Sequence, residues 1–313
     1  MPRPLRLVFL GTPDFAVPTL ERIVASGHRV AAVVTQPDRP RGRGRQLAPP
    51  PVKEAALRLG LPVYQPERVR RPEAVEYLRA QGAEAMVVVG YGQIIPQAAI
   101  DLAPLGIINV HGSLLPKYRG AGPIQWALLN GETRTGVTTM RIDAGLDTGA
   151  MLLKAETAIG PDEDAPSLGG RLAEMGARLL VETLAGLVDG SIVPEAQDPA
   201  QATYARMLKK EDGLIDWTRP AAAIHNQVRG LQPSPGAYTA FRGQTLHVRR
   251  ARVADAWQGG APPGTVAGVK PLLVACGSGA LELIEVQSEG RKRLAAADFA
   301  NGQRLMENES LGS

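Results

Sequence analysis

The chain has 313 residues, 44% of them hydrophobic and 21% charged, with a formal net charge of +4. That length exceeds a usual single core and favours two domains, while no apolar run is long enough to span a membrane. One cysteine, Cys276, excludes a disulfide framework and a thiolate metal site. The four histidines, His28, His111, His225 and His247, show no ligand spacing, so no metal is expected. Met1-Pro2-Arg3-Pro4 runs straight into an apolar segment, so no targeting peptide is expected and the expected location is the cytoplasm.

Apolar patterning predicts a strand over 5–10, a helix over 18–25 with proline in its first turn, and a strand over 29–35. A loop over 36–51 leads to a helix over 52–59, a short strand at 63–64 and a helix over 72–80. A strand over 85–89, apolar on both faces, belongs in the middle of a sheet. A short helix over 97–102, a strand over 106–111, a helix over 123–130 and an edge pair of strands over 135–142 and 151–156 follow. A long amphipathic helix spans 167–188 with Ser167 as its N-cap. The alternation of strands and helices implies a mostly parallel α/β sheet covered on both faces. From 194 to 201 the chain reads as a polar linker, and 221–229 as a single helix. Short strands over 237–241, 245–253, 264–269, 272–275 and 281–287, separated by turns, then suggest a small β-barrel, with a frayed tail over 307–313.

Chemistry concentrates at the end of the strand over 106–111. Side chains alternate along a strand, so Asn109 and His111 point the same way. The chain then turns at Gly112 into a proline-bounded loop, the usual ligand rim of an open α/β sheet. The knot Asp143-Ala144-Gly145-Leu146-Asp147-Thr148-Gly149 follows the next strand and brings a carboxylate to the same rim. An amide and an imidazole aimed at one point can stabilise a developing oxyanion, with a carboxylate orienting and charging the imidazole. Residue types alone leave open a second reading, a structural polar network that closes a strand end. A Ser113-His111-Asp147 hydrolase is disfavoured, because Ser113 leads into Leu114-Leu115-Pro116 rather than sitting between close glycines on a nucleophile elbow. Gly90-Tyr91-Gly92-Gln93-Ile94 lacks the third glycine of a dinucleotide fingerprint; its glycines instead suit a flat ligand lying against bare backbone.

The loop over 36–53 carries Arg39, Arg41, Arg43, Arg45 and Lys53 against Asp38 alone, a net +4 equal to that of the whole chain. By charge pattern it reads first as a solvated surface loop; the alternative is a loop that tracks a phosphate backbone. Arg249, Arg250 and Arg252 are expected on both faces of one barrel strand. Together with Arg242, Lys209 and Lys210 they suggest a second basic surface.

Asn109, His111, Ser113-Leu114-Leu115-Pro116, Arg119-Gly120 and Asp147 together resemble the folate-dependent formyltransferases. The arginine loop and the C-terminal barrel narrow the resemblance to the branch acting on methionyl-tRNA. It extends over nearly the whole chain, from Phe9-Leu10-Gly11-Thr12-Pro13 to Pro235-Gly236-Ala237-Tyr238. It departs at Ser234, where a tryptophan is common, and at Gly122, where alanine is common.

The resemblance implies a Rossmann-like catalytic domain over 1–190, a linker over 191–208 and an OB-like, tRNA-holding domain over 209–313. It implies 10-formyltetrahydrofolate as donor and the α-amine of methionyl initiator tRNA as acceptor; a monomer with no membrane association is expected. It assigns Asn109, His111 and Asp147 to catalysis. The folate site would comprise Ser113, Leu114, Leu115, Pro116, Gly90, Tyr91, Gly92, Gln93, Ile94 and Asp143, and tRNA contact would fall to Arg39, Arg41, Arg43 and Arg45. Two rivals remain: a folate formyltransferase acting on a sugar nucleotide or glycinamide ribonucleotide, and a non-catalytic RNA-binding protein.

Overall fold

The segment Ala85–Val89 is buried along its whole length, a condition met only by a strand covered on both faces. The structure, a computed structural model, describes residues 3–41, 46–254 and 256–312, with only the backbone at Arg41. In chain order the first elements are β1 (Arg6–Gly11), α1 (Val17–Ala25), β2 (Arg29–Val34), β3 (Arg39–Arg41), β4 (Gln46–Ala48), α2 (Pro51–Arg58), β5 (Val63–Tyr64), α3 (Pro72–Ala80), β6 (Ala85–Val89), α4 (Gln97–Ile100) and β7 (Ile107–His111). Then come β8 (Arg119–Gly120), α5 (Pro123–Leu129), β9 (Arg134–Arg141), β10 (Met151–Ala158) and α6 (Ala165–Asp189). The chain finishes with β11 (Tyr204–Ala205), α7 (Ala221–Gly230), β12 (Ala237–Phe241), β13 (Gln244–Val253), β14 (Val266–Val269), β15 (Leu272–Ala275), β16 (Ala280–Ser288), β17 (Leu294–Ala295) and α8 (Ala296–Gln303).

Two compact units result. The first comprises 1–120, 135–157 and 169–204; the second comprises 121–134, 158–168 and 205–313. In the first, a seven-stranded sheet runs β10-β9-β7-β6-β1-β2-β5. The five strands from β7 to β5 are parallel, and β9 is antiparallel to β7. Alternation sorts β1 cleanly: Leu7 and Phe9 pack with Leu20, Ile23, Val52, Leu180 and Leu184. Val8 and Leu10 pack with Val75, Leu78 and Ala99 on the other face. The strand order reverses between β1 and β6, the place where an open α/β sheet leaves a crevice at its carboxyl ends.

Helix α6 begins two residues ahead of the expected Ser167. The Asp164 carboxylate accepts the Ser167 N–H at 2.9 Å, so Asp164 caps the helix and Pro166 falls in the first turn, where no amide is needed. The loop over 36–51 also gains structure: β3 and β4 pair antiparallel, Arg39 with Ala48 and Arg41 with Gln46.

The second unit is an antiparallel sheet in the order β12-β13-β16-β15-β14, with β17 on β16. Its core takes Ile224 and Val228 from α7 and Phe299 and Ala300 from α8, a helix that the sequence pattern does not announce. The three arginines of β13 do not straddle the strand as expected. Register shifts around Arg250 break the period of two. Leu246 and Val248 face the core before the shift and Ala251 after it, so Arg249, Arg250 and Arg252 all point outward. The tail does not fray through Gly312. Leu311 is buried in the same core, its N–H donates to Gly264 O at 2.7 Å, and Gly312 N–H donates to Ala240 O at 2.8 Å. An apolar anchor close to the end is what holds it down.

Gly136 of β9 offers a test of the packing. A Cβ there would fall on the carbonyl oxygen of Ala155 and against the Leu114 side chain. Gly136→Ala is expected to destabilise the first unit by about 1–3 kcal/mol, the usual cost of overpacking. Urea unfolding with an unchanged midpoint would contradict this packing.

Candidate functional site

On β7 the side chains of Ile108 and Val110 lie in one apolar layer and that of Ile107 in the other. Asn109 and His111 therefore share the Ile107 face, where they are 8% and 5% exposed. His111 Nε2 lies 2.9 Å from the Tyr118 carbonyl oxygen. A carbonyl only accepts, so Nε2 carries a proton. The other nitrogen, Nδ1, faces Asp147 Oδ2 at 3.7 Å. That carboxylate oxygen accepts the Gly120 N–H at 2.8 Å. The Asn109 carboxamide, by contrast, makes no hydrogen bond among the described residues. The imidazole and carboxylate expected to meet do meet, and the amide lies on the same strand face with its hydrogen-bonding capacity unused.

The loop after β7 is tied to β9 by one hydroxyl. Thr138 Oγ1 donates to Ser113 O at 2.8 Å and accepts the Leu115 N–H at 3.1 Å. Ser113 is fully buried and donates its hydroxyl to Lys117 O at 2.6 Å. It makes no bond with His111, so the Ser-His-Asp arrangement is absent. Leu115 packs with Met140 and Met151.

The loop after β6 presents mainly backbone. Tyr91 is 1% exposed and belongs to the apolar layer under the sheet, and its carbonyl accepts from Thr12 Oγ1 and Gln36 Nε2. Gln93 is bound to Val69 N and Glu67 O. Gly90 needs its positive φ of 56° and approaches Pro13 too closely for a Cβ; its glycine is explained by that contact rather than by open space. Ile94, 87% exposed, is the one large apolar side chain this loop leaves in solvent. Asp143 accepts from Gly145 N and Thr148 Oγ1 and so shapes the turn leading to Asp147.

One side chain that the sequence does not announce, Gln197, completes the rim together with Arg119 of the Arg119-Gly120 motif. Gln197, in the stretch read as linker, donates to both Asp147 O and Gly149 O at 2.8 Å. Its carbonyl oxygen accepts from Arg119 Nε and Nη2 at 3.0 and 2.8 Å. The sequence signal was faint: one glutamine in a polar, aperiodic run.

Of the arginine loop, Arg43, Arg45 and the Arg41 side chain lie outside the described residues. Arg39 pairs with Glu67 at 3.3 Å, both exposed. At the base, Asp38 accepts from Gln65 and Lys53, and these bonds hold its carboxyl below the ordinary aspartate range. Lys53 is thereby neutralised and the loop's surplus charge resides in its arginines.

In the second unit, Arg242 is paired with Glu309 and Arg252 with Glu282. Arg250 has no partner among the described residues, and with Arg249 and Arg293 it lines a cavity of ≈ 370 Å³ that also receives Asp162, Asp164 and Glu285. Among the described residues no cluster of three metal-ligating side chains occurs and no helix is long and apolar enough to cross a membrane.

The family model described as Formyl transferase matches residues 5–184, and that for the formyl transferase C-terminal domain matches 207–304. A protein of Solibacter usitatus described as methionyl-tRNA formyltransferase is 73% identical over 98% of this chain and 99% of its own length. The chain belongs to the methionyl-tRNA formyltransferase family. Like other members of the family, it is a formyl-transferring enzyme.

Solved structures share the fold at low identity. HypX from Aquifex aeolicus in complex with tetrahydrofolic acid is 15% identical with a TM-score of 0.67, covering 98% of this chain and 49% of that one. An N-formyltransferase from Helicobacter canadensis is 17% identical with a TM-score of 0.66, covering 91% and 99%.

The loop pinned by Thr138 gives a direct test. Thr138→Val removes the partner of a buried N–H and a buried carbonyl, and is expected to cost about 1–3 kcal/mol. Denaturant unfolding measures it; an unaltered midpoint would show that the loop does not depend on this hydroxyl.

Proposed function

We propose that this member of the family moves a formyl group from 10-formyltetrahydrofolate to the α-amino group of methionyl initiator tRNA, for translation initiation. The observation that carries the site assignment is the approach of His111 to Asp147, at 3.7 Å, on the strand face shared with Asn109, whose amide makes no hydrogen bond among the described residues. Membership of the family supports the substrates, and the tetrahydrofolate bound in the HypX fold relative is consistent with the donor.

Asn109, His111 and Asp147 are the catalytic residues in this reading. The free amine attacks the formyl carbon, and the formyl oxygen gains negative charge in the tetrahedral species. Asn109 donates to that oxygen from its carboxamide. His111 can donate only from Nδ1, because Nε2 is spent on Tyr118 O. Donation from Nδ1 with Nε2 still protonated requires the imidazolium form, for which Asp147 is the counter-charge. Collapse expels the folate N10 amine. The proton leaving the attacking nitrogen reaches it through water held at Asp147, so that the two amines exchange one formyl group and one proton. These donors take the part that a metal ion plays elsewhere in carbonyl activation, and the reading invokes no metal.

The folate lies against Ser113 to Pro116, the backbone of 90–94 with the exposed Ile94, and the turn beginning at Asp143. Arg39, Arg41, Arg43 and Arg45 hold the tRNA backbone; four arginines without an acid between 39 and 48 support that reading. The protein acts as a monomer in the cytoplasm.

Incubation with 10-formyltetrahydrofolate and charged initiator tRNA should yield formylmethionyl-tRNA; binding of tRNA without transfer would refute this pairing of donor and acceptor. His111→Ala should lower turnover roughly a hundred- to a thousand-fold, as loss of an oxyanion donor does. Near-normal turnover in a folded variant would remove His111 from the mechanism. For the ribbon, Arg43→Ala should reduce the log–log salt slope of tRNA binding by about one unit; equal affinity at low and high salt in both proteins would refute that contact.

A further inference from the structure

We propose that Gln197 is a positioning residue for the Asp147 carboxylate, with the buried Arg119 as its anchor, so that residues far along the chain complete the catalytic set. The inference rests on the reading that Asp147 acts on His111.

Asp147 has a left-handed backbone, φ 52°, a conformation that a non-glycine residue keeps only when its surroundings hold it there. Two holds are visible. The Gly120 N–H binds the carboxylate itself at 2.8 Å, and the Gln197 amide binds the backbone on both sides of the turn, at Asp147 O and Gly149 O. A primary amide suits that place: its NH₂ supplies two donors to two carbonyls while its oxygen takes two donors from one guanidinium.

Arg119 is 4% exposed and has no carboxylate partner among the described residues; its Nε and Nη2 both go to Gln197 Oε1. The backbone beside it is fixed as well. Arg119 N–H donates to Thr203 O at 2.8 Å and Tyr118 N–H to Thr203 Oγ1 at 2.8 Å. The segment Tyr118-Arg119-Gly120 therefore touches every part of the pair. Tyr118 O holds His111 Nε2, Gly120 N–H holds the Asp147 carboxylate, and the Arg119 side chain holds Gln197, which holds the turn carrying Asp147. The separation of His111 from Asp147 is set by this frame and not by either side chain alone.

A glutamate at 197 would keep the size and pair with Arg119, but it has no hydrogen to give Asp147 O and Gly149 O and sets negative oxygens against them. Gln197→Glu and Gln197→Ala are made in the full chain, each also in an Asp147→Asn background. Folding is checked by near-ultraviolet circular dichroism, and formyl transfer is measured with saturating methionyl initiator tRNA. The expected result for each single variant is a kcat roughly a hundred-fold lower, the scale of about 1 Å of misplacement, with the KM for 10-formyltetrahydrofolate little changed. In the Asp147→Asn background the same substitutions should change kcat by less than about two-fold, since groups acting as a unit are non-additive.

Full additivity of the two substitutions, or wild-type kcat in a folded Gln197→Glu variant, would overturn the inference. If Gln197→Ala fails to fold, Gln197→Glu alone decides. If Asp147→Asn itself turns over normally, the catalytic reading of Asp147 fails instead, and the two failures are told apart by that single variant.

Discussion

One carbonyl oxygen governs the chemistry of the rim. Tyr118 O can only accept, and at 2.9 Å it obliges His111 Nε2 to keep its proton. Whatever His111 does for a ligand it must therefore do from Nδ1, the nitrogen that faces Asp147. Tyr118 itself has a left-handed backbone, φ 63°, a costly conformation for an aromatic residue, of order 1–3 kcal/mol. Asp147, on the other side of the ring, is held likewise at φ 52°. Strain on both neighbours of one imidazole argues that the position of that ring matters more than the relaxation of the loops.

The surrounding polar groups are satisfied by one another. Thr138 closes the loop after β7, Gln197 closes the turn after β9, and Thr203 closes the backbone at 118–119. In a buried setting each such bond removes a desolvation cost that an open rim would leave to water. Among the described residues the Asn109 amide makes no hydrogen bond, and an unspent donor on the His111 face is where a ligand oxygen has most to gain. The same logic disposes of Ser113: its hydroxyl is occupied, so it shapes the loop.

How much of this the sequence disclosed follows from the range of the interactions. Strands β1, β6 and β7 are legible because burial on one or both faces writes a period into neighbouring residues, and that period put Asn109 and His111 side by side. Asp147 was legible as a carboxylate at the same rim. Gln197 was not, because its partners Arg119, Asp147 and Gly149 are 48 to 78 residues away and a lone glutamine in a polar run carries no period. Asp164 was passed over for Ser167 because both are capping residues and only the backbone shows which amide is free. The arginines of β13 were misassigned because a register shift, unlike a proline, leaves no mark in residue type. Helix α8 and the anchored tail were missed for a related reason: Phe299, Leu305 and Leu311 are too widely spaced to read as a pattern until the sheet they cover is known.

The arginines illustrate why charge counts alone are a poor guide to function. Arg242 and Arg252 are neutralised by Glu309 and Glu282 at 2.7 and 2.8 Å, and Lys53 is neutralised by Asp38 at 2.7 Å. Exposed pairs of this kind add little to stability, yet they subtract fully from the charge a polyanion meets. Arg250 has no ion-pair partner among the described residues but shares its cavity with three carboxylates, which weakens its pull on an anion. On the ribbon the opposite holds for composition: residues 39–48 contain four arginines and no acid, and the one acid nearby in sequence, Asp38, is already spent on Lys53 and Gln65. Arg39 is itself paired with Glu67 at 3.3 Å, so the surplus of this segment comes from the sequence of its remaining arginines. On β13 the pairing of Arg252 and the acids around Arg250 leave less positive charge than a count of arginines suggests.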